Sequence, residues 1–160
     1  MNKILLTFAL IVLHTSILLA QFENIQSSQI TTRDGLNDNR ITCILKDSRG
    51  FMWFGTQTGL CRYDGYNFIV YSNDGLDTNS ISSNNICDIR EDIEGNLWIL
   101  TKDALEKFNR KDETFTRFSS FDPTTWLLTM SFGHSGKIWV AAWSRELWQF
   151  DIATQKFSQV

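Results

Sequence analysis

At 160 residues the chain is long enough for about one domain, and a net charge of −3 leaves no excess of basic side chains to grip phosphates. Nucleic acid is therefore not an expected partner. Hydrophobic residues at 42% and aromatic residues at 13% are enough to build a core and argue against a disordered chain.

The first twenty residues differ in kind. Asn2 and Lys3 make a short positive start, Ile4 to Leu19 is almost wholly apolar, and Ala20 precedes the polar Gln21-Phe22-Glu23-Asn24. This is the layout of a secretory signal peptide, residues 1–20, cleaved near Ala20, although Leu18 is larger than the residue usual at that place. The alternative is a retained anchor, for which the run is short, since a spanning helix needs about 20 apolar residues. Gln21 is not a cysteine, so no lipid anchor is expected there. Without residues 1–20 the chain holds 14 basic and 18 acidic residues, a net charge of −4.

Residues 21–38 read as an N-terminal arm or a single strand, ending in the turn-forming run Asp34-Gly35-Leu36-Asn37-Asp38. A first repeat, residues 39–73, follows. Its strands are Ile41 to Leu45, Phe51 to Thr56, Leu60 to Tyr63 and Asn67 to Tyr71, joined by turns at Asp47-Ser-Arg-Gly50, Gln57-Thr-Gly59 and Asp64-Gly65. A second repeat, residues 74–120, opens on Asp74-Gly75-Leu76. Its strands are Ile86 to Ile89, Asn96 to Thr101, Leu105 to Phe108 and Thr114 to Phe118, with the turn Asp92-Ile-Glu-Gly95 and with Ala104 where the first repeat has Gly59. A third, residues 121–160, is degenerate. Its strands are Leu127 to Phe132, Lys137 to Ala142, Leu147 to Phe150 and Lys156 to Val160, and Gly133 stands where the turn aspartate belongs. Pro123 falls in the connector, where a missing N–H costs a ladder nothing.

Trp53, Trp98 and Trp139 sit at the centres of the second strands, 45 and 41 residues apart. A period in that range marks a repeat architecture. Four short strands joined by tight turns match one blade of a β-propeller. The expected fold is therefore all-β: about three four-stranded antiparallel meanders in an incomplete ring. Phe51-Met-Trp-Phe54, Leu97-Trp-Ile-Leu100 and Ile138-Trp-Val140 are apolar on both faces, as strands covered on both sides must be. Propellers close with about 4–8 blades. Three blades leave two open ends, so either the remaining blades of a longer chain or self-association completes the ring; the first is expected.

No catalytic constellation, cofactor fingerprint or metal-ligand spacing stands out. Cys43, Cys61 and Cys87 form no CxxC pair and read as buried free thiols, with one disulfide still open. His134 is a lone turn histidine and reads as a surface residue. Asp47 and Asp92 occupy equivalent turns, where each has a local role as a turn cap, although some propeller enzymes gather carboxylates from several blades for glycoside hydrolysis. Trp143 and Trp148 break the repeat pattern and are the candidates for an exposed, ligand-binding aromatic surface. Asp47, Gly50, Trp53, Thr56, Gly59, Asp92, Gly95, Trp98, Thr101, Gly136 and Trp139 read as the structural motif.

The run from Asn39 to Gly65, with Asp47-x-x-Gly50-x-x-Trp53-x-Gly55-Thr56 and then Gly59-Leu60-x-x-Tyr63-Asp64, resembles the first repeat of the two-component regulator propeller family. Ile86 to Thr101 resembles a second copy, with Leu100 in place of the motif's glycine. The third copy lacks the Asp, the Thr and the Gly-Leu, and rests on Gly136, Trp139 and strand spacing. The resemblance implies the periplasmic sensor half of a Bacteroidetes-type hybrid histidine kinase. In such proteins two propellers precede a transmembrane helix, a kinase and a regulator module, and the signals are typically oligosaccharides. It implies an oligosaccharide ligand, no catalysis in this segment, and a membrane link only through segments downstream. The alternatives are a secreted propeller lyase or hydrolase acting on glycans, and a protein-binding scaffold.

Overall fold

The computed structural model describes residues 29–119 and 125–160. The signal segment, residues 21–28 of the arm and the Pro123 connector lie outside the described residues.

Twelve strands run in chain order as β1 (Ile41–Lys46), β2 (Met52–Thr56), β3 (Leu60–Tyr63), β4 (Phe68–Tyr71), β5 (Ile86–Glu91), β6 (Leu97–Thr101), β7 (Leu105–Asn109), β8 (Thr114–Phe118), β9 (Leu127–Phe132), β10 (Lys137–Ala142), β11 (Leu147–Asp151) and β12 (Lys156–Gln159). They form three four-stranded sheets, each with its strands side by side in chain order and every pair antiparallel. No helix occurs among the described residues. The first strands of successive sheets touch, β1 against β5 and β5 against β9, so they converge toward a common axis while the fourth strands lie outermost. The fold is an unclosed propeller of three blades.

Some strand ends differ from the sequence expectation by a residue or two, for a local reason. Phe51 and Asn96 were expected to begin their strands. Their amides instead donate to Asp47 and Asp92, at 2.9 and 2.8 Å, so each belongs to the turn. In the second blade β5 runs on to Glu91, because Arg90 and Glu91 pair with Trp98 and Leu97. Each first strand is irregular near its start, at Ile41/Cys43, at Ile86/Asp88 and opposite Ala141/Ala142. An extra residue at that point bends the strand and increases its twist, and the feature repeats in every blade.

Two cores lie between the blades. Trp53 and Leu60 of the first blade pack against Ile89, Leu97, Ile99, Phe108 and Phe115 of the second. Trp98, Leu100 and Leu105 of the second pack against Met130, Ile138, Val140 and Phe150 of the third. The β2 and β6 tryptophans therefore point toward the following blade, which covers these apolar strands on that side. The first blade's other face has no preceding blade against it among the described residues. Ile44 there is 58% exposed, whereas Ile89 and Met130 at the equivalent positions are 3% and 2% exposed. Leu36 covers only part of that face, with Phe54 and Cys61.

The motif glycine Gly55 is a packing residue. A Cβ there would press on Cys43 Sγ of its own blade and lie 2.8 Å from Ile86 Cγ2 of the next, so neither β1 nor the second blade leaves room for a side chain. Leu100 holds that place in the second blade, buried in the second core.

Candidate functional site

The turns between first and second strands make one rim of the ring. In the first blade Asp47 accepts from the amides of Arg49 and Phe51 at 3.0 and 2.9 Å and from Trp53 Nε1 at 2.8 Å. Gly50 completes the turn at φ 91°. Asp92 repeats the arrangement, accepting from Glu94 N, Asn96 N and Trp98 Nε1 at 3.0, 2.8 and 2.9 Å. In the third blade the aspartate is Gly133, and Trp139 fills the space: a Cβ at Gly133 would lie 2.5 Å from Trp139 Nε1. The aspartate is thus the acceptor for the central tryptophan, and where it is lost the indole moves into its place.

Asp47 also joins the first two blades. Arg110, in the turn after β7, donates to Asp47 at 2.7 Å, to Glu91 at 2.9 Å and to the Gly95 carbonyl at 3.0 Å. The amide and hydroxyl of Ser48 both donate to Glu91 at 2.7 Å. Burial would raise the Asp47 carboxyl, but hydrogen bonds from Arg110, Trp53 and Phe51 outweigh it and hold it below the usual carboxylate range. For Asp92 burial is likewise outweighed, by Trp98 and Asn96. A general acid at neutral pH needs a raised value. These two carboxylates are ionised, saturated with donors and structural.

The opposite rim carries the turns between second and third strands and the lead-ins to the first strands. Thr56 and Thr101 close these turns, their hydroxyls donating to the carbonyls of Gly59 at 2.8 Å and Ala104 at 3.2 Å. Asn37 donates to Thr56 and accepts from Cys61. In the second blade Ser82 takes the equivalent place, between Thr101 and Glu106. Glu106 is fully buried and its Oε2 has no hydrogen-bond partner. Burial pushes its carboxyl up, partly offset by Ser82.

Two clefts open on the first rim. One, about 580 Å³, is lined by Arg49, Lys107, Arg110 and Lys111 with Glu94. The other, about 470 Å³, lies between the second and third blades with Asp92, Glu94 and the exposed His134 on its walls. No group of three or more His, Cys, Asp or Glu that could hold a metal is found among the described residues. The three cysteines are free thiols. Burial pushes Cys43 up to about 11 and Cys87 to about 12, so neither is a thiolate nucleophile at neutral pH.

On the opposite rim Trp143 is exposed, at 75%. Beside it stands Trp126, 73% exposed, which the sequence reading did not single out. The Trp143 amide donates to the Trp126 carbonyl at 2.8 Å, and the two side chains line a cleft of about 330 Å³. The sequence signal for Trp126 was its place one residue before β9, opposite the end of β10. Trp148 was expected to be an exposed aromatic. It is instead half-buried and packs against the core between the second and third blades, because Val140 opposite it faces that core. Its indole nitrogen donates to Glu146 at 3.4 Å.

The family model described as "Two component regulator propeller" matches residues 35–58 and 80–103. A histidine kinase of Formosa agariphila is 38% identical over 63 residues, which is 39% of this chain and 5% of that protein. The fold is similar to the extracellular domain of a hybrid two-component system from B. thetaiotaomicron, with TM-score 0.73 at 27% identity, covering 83% of this chain and 20% of that one. A virginiamycin B lyase from Staphylococcus aureus superposes with TM-score 0.62 at 13% identity over 79% of this chain and 42% of that one, a likeness of fold alone. The chain spans a fifth or less of the length of the histidine kinase and of the two-component-system domain.

Proposed function

We propose that this chain, which carries two repeats of the two-component regulator propeller family, is part of the exported, periplasmic ligand-sensing region of a two-component sensor, with oligosaccharides as its signal. The observation that carries this reading is the likeness to the extracellular domain of a hybrid two-component system along 83% of the chain at 27% identity, beside the match of the family model to two repeats. Composition supports it, since a net charge of −3 suits a soluble exported domain better than a polyanion binder.

The carboxylates favour sensing over catalysis. Asp47 and Asp92 are committed to their own turns and held ionised, so neither is a proton donor for a glycosidic oxygen. The signal segment with cleavage near Ala20 belongs to the same proposal. Phosphotransfer would belong to segments beyond Val160. Sequencing the gene past that point tests the reading: more repeats followed by an apolar run of about 20 residues are expected. A catalytic domain in their place would overturn it.

A further inference from the structure

The three blades present one pair of side chains at the same place on the rim. In the second blade the amide of Lys102 donates to the Asn85 carbonyl at 3.0 Å, and in the third the amide of Trp143 donates to the Trp126 carbonyl at 2.8 Å. The repeat register puts Arg40 and Gln57 at the corresponding positions of the first blade, next to Ile41 and Thr56, which pair. The fold therefore tolerates polar residues at this place, and it fills them with Arg, Gln, Asn and Lys in two blades. Tryptophan at both positions of the third blade serves no packing need, since each side chain is about three-quarters exposed.

We infer that Trp126 and Trp143 form a stacking platform for a pyranose ring of an oligosaccharide. The proposal rests on the oligosaccharide reading above and gives it a site. The chemistry matches one occupant. A pyranose offers an apolar face of C–H groups, ringed by hydroxyls. The indole faces take the first. The hydroxyls at the ring edge stay in solvent at the mouth of a cleft that the two indoles line. The backbone hydrogen bond between the two tryptophans holds their main chains side by side, so both indoles leave the rim at adjacent points. A cleft of about 330 Å³ is at the lower end of small-ligand sites, which run from roughly 300 to 1,000 Å³, and suits one or two sugar rings.

The test is a titration of the full chain with malto-, manno-, xylo- and galacturono-oligosaccharides, followed by tryptophan fluorescence and calorimetry. It compares wild type with W126A, W143A and W143F. The proposal expects binding of at least one series with a fluorescence change. W126A and W143A should weaken that binding about tenfold and W143F much less, because an aromatic face remains. Thermal melts should show all variants folded, as both side chains are exposed. If an oligosaccharide binds wild type and both alanine variants equally, this site is wrong while the sensing of oligosaccharides stands. If no series binds wild type, the oligosaccharide reading itself fails and the site with it. If the alanine variants change only the sedimentation of the chain, the tryptophans are a contact between copies and the platform is overturned.

Discussion

Arg110 is the residue on which the junction of the first two blades turns. Its guanidinium has carboxylates on two sides, Asp47 from one blade and Glu91 from its own, and the Asp47 side chain is wholly inaccessible. Removing one partner of such a pair leaves a buried charge without compensation, which costs roughly 3–5 kcal/mol. R110A should therefore destabilise the chain by about that amount in urea unfolding, while R110K should recover only part, since an ammonium cannot bridge both carboxylates and the Gly95 carbonyl in the same plane. The carboxylates also predict pH dependence. Asp47 and Asp92 have lowered folded-state values, so their contribution is present above the ordinary value of 3.8 and is lost as pH falls through the folded ones. Glu106 acts in the opposite sense. Its raised value means that its contribution is present below 4.5 and is lost as pH rises through the folded value. E106Q, which cannot ionise, should raise the melting temperature at pH 8 and change it little at pH 4; an equal effect at both would contradict the burial argument.

The turn aspartates and strand tryptophans were legible in the sequence because they do the same job in the first two blades. Asp47 and Asp92 recur at the turn, Trp53 and Trp98 recur in the second strand, and the link between them is local, six residues apart. Arg110 was not legible. Its partner Asp47 lies 63 residues away in another blade, and no periodic signal ties them. Trp126 was missed because its significance comes from a neighbour across the sheet, and Trp148 was misread because breaking a repeat pattern does not by itself put a side chain in solvent.

Strands and turns were legible to within a residue or two because alternation, turn chemistry and the 45- and 41-residue spacing agree. The contacts between blades were less so. Gly55 is the clearest case: as a strand residue it reads as a weak point, yet it is where β2 meets Ile86 of the next blade. G55A should destabilise by about 1–3 kcal/mol, the usual cost of forcing a methyl group into a closed space. Chemical denaturation of G55A beside wild type checks this, and an unchanged midpoint would mean that the blades can separate to admit a side chain. The third blade is worn for a related reason. Its Trp139 is only half-buried, with no following blade among the described residues to cover it.

At the scale of the molecule, the described residues make an arc of three blades whose two end faces no further described blade covers. On the first blade's uncovered face Ile44 and Val70 are exposed, beside β4 at the edge of the sheet. Apolar surface of that kind, beside open strand edges, drives association. The isolated chain should sediment as dimers or larger species, and I44K should shift it toward monomer without unfolding it. A wild-type monomer at all concentrations in analytical ultracentrifugation would contradict the exposed face.

The proposed function is that of an arc that binds a glycan and does not transform it. Calorimetric titration of the chain with an oligosaccharide panel, with the mass of each sugar measured before and after, tests it most directly. The account predicts saturable binding to at least one oligosaccharide, whose mass is unchanged after prolonged incubation. Absence of binding across the panel, or a cleaved or unsaturated product, would contradict it.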